Sequence, residues 1–598
     1  MSSSPLSRRS LIKAAALAGG AAAFGLPQAL WPATAQAYTV PSKLDWWYQA
    51  RFGMFIHFGS YSYRGHGEWA FSTENWNKAD YQTQVTTPFN PSSFNAATIA
   101  ELARNAGMKY LVITAKHHEG YAMWDSNVAG FTDTTGTKQY NLRDYNGFQP
   151  DLLAQLKTEC EKRGVKFGLY YSILDWSHRS QTINRGTLFS DMSSQTARTA
   201  YINDMKAQLQ ELLDRYDPAV LWFDGDWCGN PAGPTLTDWW TKADGEDLYS
   251  WLMARRPGLV VNERVKRDLG LGDFACPEQT VPATPLDRPW ETCATMNGQW
   301  GYTDWAENNY RPVKDIIQEM VTVVSRDGNY LLNIGPKGDG TVTAATTTVL
   351  GGLASWMATH ADSIHGTSGS PFAAEPSWGR ITKKNGKLFA HVFTWPTGGT
   401  LQIPAVHNTI SRVYLMNNPS VSLAYTVSGG QINVSVPPTA PDASDSVVCV
   451  EVSGMPAVLA GGVYRLVSAQ NGKALDNGNI TAEGGQVIQW TPNGGSPQQW
   501  TVTDLGHGYY KLVCARSGKA LDDNGSTSDG AVMAQRTDSG GQGQQWAVTA
   551  LGGGAFRLTN RHSGKVLDNG YASGDGSPVI QWSANGGPAQ NWNISKIG

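Results

Sequence analysis

Two acidic residues end an apolar stretch of the chain, AVLWFDGDW at residues 219–227. Trp222 and Asp224 are two residues apart, so on a β-strand their side chains face the same side, and Gly225 then lets the chain turn. One face of the strand therefore offers a carboxylate beside an aromatic ring. The ring can stack on an apolar patch of a sugar while the carboxylate attacks its anomeric carbon, which favours a sugar-cleaving site over a solvated turn.

Other polar side chains stand where further predicted strands end, and in a (β/α)8 barrel the C-terminal ends of the strands face the active site. A lone histidine is more often a satisfied buried side chain than a functional group. Five strands that end in polar residues favour a functional site instead. These residues are His57, His117 with His118, Tyr171, Asp224 and Arg264.

The segment KHHEG at residues 116–120 raises the question of a metal ion, because it holds three potential ligands. Neighbouring residues on a strand point to opposite faces, so His117 and His118 cannot both bind one ion unless the backbone is distorted. The chain contains no H-E-x-x-H motif and no suitably placed third histidine. We therefore expect no metal and no cofactor, and hydrogen bonds from these histidines to hydroxyl groups.

Strand and helix patterns alternate between residues 38 and 362. Short β-branched and aromatic runs such as KFGLYYSI and NYLLNIGP are separated by amphipathic stretches such as TAYINDMKAQLQELLDRY. Alternation of this kind implies parallel strands, and about eight such units suit a (β/α)8-like barrel. An open doubly wound sheet is the alternative, but no glycine-rich phosphate loop follows any strand.

Two further domains built from strands follow, so we expect a multidomain chain. Closely spaced strands without helices between them predict an antiparallel β-sandwich over residues 363–456. Over residues 460–598, the motifs GKALDNG and QQW and their variants recur three times at a period of 46 residues, which predicts a β-trefoil. The repeated acids and indoles are Asp476, Asp522, Asp568, Trp500, Trp546 and Trp592.

Residues 1–37 resemble an export signal rather than part of a fold. Paired arginines in SRRSLIK, an apolar stretch and a small-residue AQA before Tyr38 are typical of a twin-arginine signal peptide. We expect a secreted bacterial protein that neither spans a membrane nor binds one. The formal net charge of −3 gives no basic surface for a nucleic acid, and the six scattered cysteines match neither a zinc site nor a disulfide framework.

Five segments resemble, in order, the successive motifs of α-L-fucosidases, glycoside hydrolase family 29: RFGMFIHFGSYS, GEWA, AGMKYLVITAKHHEGYAMWDS, GLYYSILDW and LWFDGDW. The resemblance covers residues 40–360, approximately, and implies a retaining mechanism with Asp224 as the nucleophile. It also implies that Trp222 lies against the C5 methyl group of fucose. The side chains that it implies around the rest of the sugar are His57, Glu68, Trp69, His117, His118, Tyr171, Arg264 and Trp300.

A retaining glycosidase needs a second carboxyl group about 5–5.5 Å from the nucleophile, to protonate the leaving oxygen. The candidates are Asp226, Glu263, Glu278 and Glu291. Asp226 follows the nucleophile too closely to reach across the scissile bond. Glu263 alternates with Arg264 on its strand, so we expect it to face the helices.

The segment GDFACPEQ resembles the stretch that supplies the acid in the subgroup of the family acting on branched substrates. Glu278 is therefore the leading candidate, although Cys276 replaces the usual threonine. Glu291, in WETCATMNGQWGY, is the alternative acid and otherwise a substrate-binding residue. Both segments are typical of the subgroup that cleaves α-1,3 and α-1,4 fucosyl bonds in Lewis-type branches. The alternatives to this activity are a lectin whose barrel has lost catalysis and a retaining glycosidase for another sugar or linkage.

The C-terminal repeats resemble ricin-type β-trefoils, carbohydrate-binding module family 13, although the disulfides of that family are missing. A sugar pocket there needs an acid, an aromatic face and a side-chain amide. Two copies supply all three, namely Asp476, Trp490 and Asn493 in copy one and Asp568, Trp582 and Asn585 in copy three. Copy two keeps Asp522 but has Arg536 and Asp538 at the matching positions. We expect two weak glycan sites; the alternative is that the aspartates brace turns and the tryptophans pack.

Overall fold

The computed structural model describes residues 41–183, 190–192, 194–227, 239–267 and 269–597. The predicted export signal at residues 1–37 and Cys228 lie outside the described residues. The described cysteines are buried and free, as their spacing predicts, and they are Cys160, Cys276, Cys293, Cys449 and Cys514. Of the helices in the described ranges, none is both long and apolar enough to cross a membrane.

Parallel strands form the centre of the first domain: β1 (Phe52–Ile56), β2 (Tyr110–Lys116), β3 (Lys166–Ser172), β4 (Val220–Asp224), β5 (Val260–Val261), β6 (Glu291–Thr295) and β7 (Asn329–Ile334). Their spatial order is β5-β4-β3-β2-β1-β7-β6. Nearly every residue of these strands is buried, as expected for a sheet that is covered on both faces.

An extended segment, residues 274–278, takes the place of a strand between β5 and β6. It pairs in parallel with Asn262 on one side, and through Ala275 and Glu278 with residues 290 and 293 on the other. These bridges close the sheet into a barrel whose interior is filled by one continuous cluster of side chains from all eight positions. The predicted (β/α)8-like barrel is confirmed. It departs from the regular form because no helix lies between this segment and β6 among the described residues.

The helices of the barrel domain are Asp45–Ala50, Tyr61–Arg64, Ala70–Thr73, Lys78–Tyr81, Ala96–Asn105, Leu152–Lys162, Gln195–Tyr216, Lys242–Arg255, Val313–Ser325 and Ala344–His360. Five of the six described helices with ten or more residues begin where a short polar side chain accepts a hydrogen bond from a backbone N–H three residues on, whereas Val313–Ser325 begins after Pro312 without such a cap. These capping residues are Asn95, Asp151, Ser194, Thr241 and Thr343. The helices therefore start at positions that their own sequence marks.

The second domain is an antiparallel sandwich of two sheets. The larger sheet contains, in spatial order, Gly379–Lys384, Lys387–Val392, Ser446–Val452, Ile410–Leu415 and Asn418–Ser422. The smaller sheet contains Thr400–Pro404, Gln431–Ser435 and Tyr425–Ser428. Alternate residues of both sheets meet in one aliphatic core, among them Leu388, Ile403 and Val450.

The third domain is a single system of short antiparallel strands: Gly462–Ser468, Ala474–Asp476, Gly485–Gln486, Ile488–Trp490, Trp500–Gly506, Tyr509–Cys514, Ala520–Asp522, Ala534–Arg536, Trp546–Gly552, Ala555–Asn560, Val566–Asp568, Ser577–Pro578, Ile580–Trp582 and Trp592–Lys596. The first pairs with the last, which closes the domain. The repeated indoles Trp500, Trp546 and Trp592 are fully buried, and each donates its N–H to the backbone oxygen of a leucine 25 residues earlier. The predicted sandwich and trefoil are thereby confirmed.

The trefoil contacts the barrel through charged side chains. His507 Nε2 lies 3.2 Å from Asp327 Oδ2, beside the end of the Val313–Ser325 helix. Arg561 Nη2 lies 3.0 Å from Asp287 Oδ1, in the loop that follows the barrel segment 274–278. Asp327 precedes β7 and Asp287 precedes β6, so the trefoil contacts the barrel on the side where these strands begin, opposite their C-terminal ends.

Candidate active site

Asp224, the last residue of β4, has polar partners from two other elements. Its Oδ2 accepts a hydrogen bond from the Tyr170 hydroxyl of β3 at 3.0 Å. Its Oδ1 accepts from Arg264 Nη1 at 2.8 Å and lies 3.4 Å from Arg267 Nη2. The residue is only 8% exposed. Two cations and a hydroxyl around a buried carboxylate suit an anionic nucleophile.

Arg264 connects Asp224 to the second candidate acid. It lies on the short 3-10 turn Glu263–Val265 after β5, and its Nη2 donates to Glu278 Oε2 at 2.8 Å. One guanidinium therefore holds both carboxylates, one on each amino group. The Glu278 side chain is 41% exposed whereas that of Asp224 is 11% exposed. The deeper carboxylate can attack a sugar while the shallower one remains within reach of the leaving group.

The alternation with Arg264 predicts that Glu263 faces the helices. Its side chain instead contacts the segment that carries Glu278. Its Oε1 accepts from the backbone N–H of Cys276 at 2.7 Å. That bond fixes the extended segment two residues before Glu278. The expectation failed because the strand ends at Val261, so alternation no longer applies at residue 263.

The second acid of the opening motif has a different partner. Asp226 is 1% exposed, and its Oδ1 and Oδ2 accept from Arg267 Nε and from the Arg267 backbone N–H, both at 2.8 Å. The Arg267 guanidinium stacks over Trp227, with Cζ 4.7 Å from the ring centroid. Asp226 therefore positions Arg267 beside Asp224. Gly225, at φ +74°, provides the turn that separates the two acids.

Two of the histidines have tautomers fixed by neighbouring polar atoms. His57 Nδ1 lies 2.7 Å from Asn333 Oδ1, and the Asn333 amide is oriented by its own donation to the Trp300 backbone oxygen at 2.7 Å. Burial lowers the pKa of His57 to about 4, so the ring is neutral at physiological pH. Its Nδ1 must then carry the proton, which leaves Nε2 as a hydrogen-bond acceptor.

His118 has the same tautomer for a similar reason. Its Nδ1 lies 2.6 Å from Ser172 Oγ, and that hydroxyl already donates to the backbone oxygen of Leu174. His118 Nε2 is therefore an acceptor; it has no hydrogen-bond partner among the described residues and lies 3.6 Å from Asp224 Oδ2. His118 Nε2 and Asp224 Oδ2 are both hydrogen-bond acceptors, so the space between them suits a hydrogen-bond donor. A sugar hydroxyl can supply it.

His117 and His118 both reach the site, although neighbours on a strand should diverge. β2 ends at Lys116, and its register against β3 shifts between Thr114 and Lys116. The chain then turns at Gly120, whose φ is +82° and where a Cβ atom would lie 2.3 Å from Asp175 Oδ1. The two imidazole rings lie 4.1 Å apart. A bulged strand end followed by a turn explains why the alternation rule fails here.

Tyr171 does not face the site, which corrects the expectation by one residue. Its hydroxyl donates to Gln208 Oε1 at 2.8 Å, on the side of the Gln195–Tyr216 helix. The parallel register pairs Tyr170 with Trp222 and Ser172 with Asp224, so Tyr170 shares the interior face of the barrel. A shift of one residue reverses the face of every side chain on a strand.

Glu291 lies in the core below the site and not in it. Its carboxylate accepts from the indole N–H groups of Trp222 at 3.1 Å and Trp47 at 3.3 Å, and from the Tyr110 hydroxyl. Burial raises the pKa of Glu291 to about 7. Glu291 therefore orients Trp222. It lies too deep in the core to protonate a leaving group.

Trp222 is itself covered rather than open to a substrate. Its side chain is 1% exposed, with the Tyr170 ring stacked 5.7 Å away and Arg264 Cζ 4.7 Å from the ring centroid. An indole covered on this scale cannot provide an open wall for a methyl group. It supports the two side chains that hold Asp224.

The remaining predicted side chains line the same pocket. Glu68 Oε2 accepts from the Gly301 backbone N–H at 2.7 Å. The Trp69 ring lies 4.8 Å from His118, and the Trp300 ring lies 5.1 Å from His57. The loop after β1 and the loop after β6 therefore meet at the pocket. Among the described residues, no group of three or more histidine, cysteine or acidic side chains has the geometry to hold a metal ion.

Three side chains of the site were not found from the sequence. Tyr170 and Asn333 belong to predicted strands, and reading β7 to its end would have identified Asn333. Arg267 lies on a turn, beyond any strand pattern. Its only sequence signal is a second arginine three residues after Arg264.

The trefoil pockets differ from the barrel site in their exposure. Trp490 and Trp582 are each 41% exposed. Asp476 Oδ1 accepts from the Gly478 N–H at 2.8 Å and its Oδ2 from Gln498 Nε2 at 3.0 Å, so this acid does brace its turn. In copy three Asp568 Oδ1 likewise accepts from a backbone N–H, at 2.7 Å. The tryptophans, in contrast, are not used for packing in the domain core.

Copy two is closed by its own side chains. Arg536 Nε donates to Asn524 Oδ1 at 3.0 Å and lies 3.9 Å from Asp522 Oδ1. Asp538 forms an ion pair with Lys511. In copies one and three Asn493 and Asn585 each accept a backbone N–H within their own turn and remain exposed. The period of 46 residues and the same turn contact show that the matching residue of copy two is Ser539 and not the predicted Asp538. The three pockets are therefore not equivalent.

A barrel with a linked carboxylate pair at the C-terminal ends of its strands, surrounded by neutral histidines and indoles, is typical of glycoside hydrolases. The family model for α-L-fucosidases matches residues 29–362, more than half of the chain. The chain belongs to the α-L-fucosidase family of glycoside hydrolases, and its substrates are fucosylated glycans. A model for ricin-type β-trefoil lectin-like domains matches residues 456–536, 505–582 and 542–598, which identifies the third domain as a carbohydrate-binding type.

Characterised relatives agree with the family. The tissue α-L-fucosidase of Bos taurus is 29% identical over 428 residues, which cover 67% of this chain and 85% of that protein. The tissue α-L-fucosidase of Mus musculus is 28% identical over 414 residues, or 64% of this chain and 85% of that protein. Among solved structures, α-L-fucosidase isoenzyme 1 from Paenibacillus thiaminolyticus has a TM-score of 0.60 and 28% identity, and covers 69% of this chain and 99% of that one.

Proposed function

We propose that this enzyme is a retaining α-L-fucosidase that releases terminal fucose from α-1,3 or α-1,4 linkages in Lewis-type branches. Asp224 is the nucleophile and Glu278 the acid and base. The observation that carries the proposal is the shared guanidinium: Arg264 holds Asp224 Oδ1 and Glu278 Oε2, each at 2.8 Å. A retaining pair must lie about 5–5.5 Å apart, and one guanidinium brings two carboxylates to such a spacing.

The two steps follow from this pair. In the first, an Asp224 oxygen attacks C1 of fucose, the C1–O bond to the aglycone breaks, and the Glu278 proton passes to the leaving oxygen. In the second, a water oxygen attacks C1, its proton passes to Glu278, and the ester bond to Asp224 breaks. Two inversions at C1 leave the configuration unchanged. Because Glu278 must carry a proton in the first step, we expect it to leave Arg264 when substrate enters.

The histidines prepare the pocket for hydroxyl groups. His57 Nε2 and His118 Nε2 are acceptors held in place by Asn333 and Ser172. A preorganised acceptor binds a sugar hydroxyl without first moving, and His118 Nε2 gives up no hydrogen bond to the described residues when it does so. Glu68 and Trp69 close the pocket on the side of β1.

The linkage preference is supported by two segments that contact each other. GDFACPEQ and WETCATMNGQWGY, both similar to the branched-substrate subgroup, pair in parallel through Ala275 with Trp290 and through Glu278 with Cys293. The segment that carries the acid is thus built against the second segment. We also propose that residues 1–37 direct twin-arginine export and that copies one and three of the trefoil retain the enzyme on glycan surfaces.

The test compares a Lewis-type trisaccharide with a linear α-1,2-linked fucoside. We expect kcat/KM on the trisaccharide to exceed that on a linear α-1,2-linked fucoside by at least about 100-fold, because specificity of this size needs several aglycone contacts. NMR of the first product should show the α-anomer of fucose. Equal rates on all linkages would remove the subgroup assignment, and a β-anomer would remove the retaining mechanism.

A further inference from the structure

Glu119 is a buried acid that the proposed reaction does not use. It follows His118 in the turn after β2, and its residue exposure is 0%. Neither of its carboxylate oxygens has a hydrogen-bond partner in the described part of the chain. The backbone around it is fixed, since its carbonyl oxygen accepts from Ser177 Oγ at 2.6 Å and Gly120 forms the turn. A charged carboxylate without a partner is strongly disfavoured in such a place.

A polar atom close to Glu119 also lacks a partner. His117 Nδ1 is buried, has no hydrogen bond to any described residue, and lies 3.7 Å from Glu119 Oε2. Two neighbouring groups without partners both become satisfied if one proton lies between them. A carboxylic acid O–H that donates to a neutral imidazole nitrogen meets this condition, after a closure of less than 1 Å to ordinary hydrogen-bond length.

The surroundings favour the neutral acid. Burial raises the pKa of Glu119 to about 8 and lowers that of His117 well below its usual value. The nearest cation, Lys116, is already paired with Asp175 at 2.6 Å, so it does not balance a second charge. The titratable groups that face Glu119 from the elements around it are Tyr61, Glu68, Tyr81, Lys116, His117, Tyr121, Tyr140 and Asp175.

We propose that Glu119 is a positioning residue that acts as a neutral acid: its O–H donates to His117 Nδ1 and thereby makes His117 Nε2–H a hydrogen-bond donor toward the fucose. The pocket then contains one donor histidine between two acceptor histidines, His57 and His118. A sugar hydroxyl has both a proton and lone pairs, so this pattern selects how each hydroxyl is oriented. The inference rests on the proposed placing of fucose beside Asp224.

The pH dependence follows with a definite sign. Below pH 8 Glu119 holds its proton and His117 keeps the donor tautomer. As the pH rises through 8 the proton leaves, a buried charge appears and the donor is lost, so KM should rise. For the same reason Glu119 weakens the fold as the pH rises from its ordinary pKa of 4.5 toward 8, because only the unfolded chain can ionise there freely.

The test uses Glu119→Gln, which keeps the shape and a neutral donor, and Glu119→Met, which keeps the volume but has no donor. KM and kcat are measured between pH 6 and 9.5 on an aryl fucoside whose good leaving group departs without proton donation from Glu278. We expect Glu119→Gln to keep KM within about threefold and to lose the rise above pH 8. Glu119→Met should raise KM about tenfold at every pH, with a smaller change in kcat, as expected for one lost hydrogen bond.

Melting temperatures provide a readout that is independent of activity. The Tm of Glu119→Gln relative to the wild-type enzyme should increase between pH 5 and 8. The proposal is overturned if Glu119→Gln shows the same rise in KM and the same pH dependence of Tm as the wild-type enzyme, or if Glu119→Met has the wild-type KM. An Asp224→Gly variant measured in parallel tests the proposed function separately, since its loss of activity does not depend on Glu119.

Discussion

The barrel pocket and the trefoil pockets are both built from an acid and an indole, but the protein treats the two pairs differently. In the barrel, Trp222 is 1% exposed and Asp224 is held by groups from two other elements. In the trefoil, Trp490 is 41% exposed and Asp476 is held by its own turn and a nearby glutamine. One pair is buried and held by fixed partners, as expected of a preorganised reaction centre, and the other lies on an open surface.

The difference shows what each site can do. A buried carboxylate with fixed donors stabilises charge that develops in a transition state, because its surroundings need not reorganise. An exposed indole beside a hydrogen-bonded acid offers stacking and a few remaining lone pairs, which give weak binding to each sugar. Tight binding of a glycan surface by the trefoil must come from more than one sugar site on the same rigid domain. Substitutions in the two regions should therefore differ in size by orders of magnitude.

The largest effect is expected for Asp224→Gly. The variant lacks the proposed nucleophile, so kcat should fall by at least about 1,000-fold with little change in the melting temperature. Azide should restore part of the activity and produce a fucosyl azide. Asp226→Asn is the matched control. It loosens Arg267 but keeps Asp224, so its decrease in kcat should be far smaller. A larger loss in the control would exchange the roles of the two acids.

The second effect concerns the acid. Glu278→Ala should lower kcat/KM on the Lewis-type trisaccharide by about 100-fold or more, and much less on an activated aryl fucoside, since only a basic leaving oxygen needs a proton. Glu291→Gln is the control, because Glu291 accepts from Trp222 in the core. It should lower stability and affect both substrates equally. Leaving-group dependence in the Glu291 variant alone would contradict the assignment of Glu278.

A third and smaller effect separates two adjacent tyrosines. Tyr170→Phe removes the hydroxyl that donates to Asp224 Oδ2 at 3.0 Å, and we expect kcat/KM to fall about tenfold or more. Tyr171→Phe removes a hydroxyl that donates to Gln208 in the core, so it should cost about 1 kcal/mol of stability with nearly unchanged kinetics. Denaturant unfolding and initial rates on both variants distinguish the two. Reversed results would show that the register of β3 is misassigned.

These tyrosines also show how far sequence reasoning can go. Short-range alternation predicted the barrel and the sandwich, and a repeat of 46 residues predicted the trefoil. The choice between Tyr170 and Tyr171 depends on which face of β3 is interior, and that is set by its pairing with β4. The face of a doubly buried strand leaves little trace in its own sequence, since both sides are apolar.

Strand ends set a second limit. Asp224 was found because an apolar run stops at it, and the same rule applied to β7 would have found Asn333. The alternation of side-chain faces failed beyond the strand ends, at Glu263 and at the His117–His118 pair. A turn or bulge replaces the regular strand at these positions. The prediction that Glu291 lies in the site was wrong for another reason. Three hydrogen-bond donors from distant parts of the chain hold this acid in the core.

The smallest effect is expected in the trefoil, where copies one and three should bind sugar and copy two should not. Trp490→Ala and Trp582→Ala each remove an exposed stacking face, so each should weaken binding to a glycan surface about three- to tenfold, and the double variant more than either. Arg536→Ala is the matched control, because Arg536 is engaged by Asn524 and covers the acid of copy two. Full-length enzyme with Asp224→Gly is used on a glycan array, so that bound glycans are not consumed. If Arg536→Ala abolishes retention while both tryptophan variants keep it, copy two is the binding site and the exposed indoles serve another purpose.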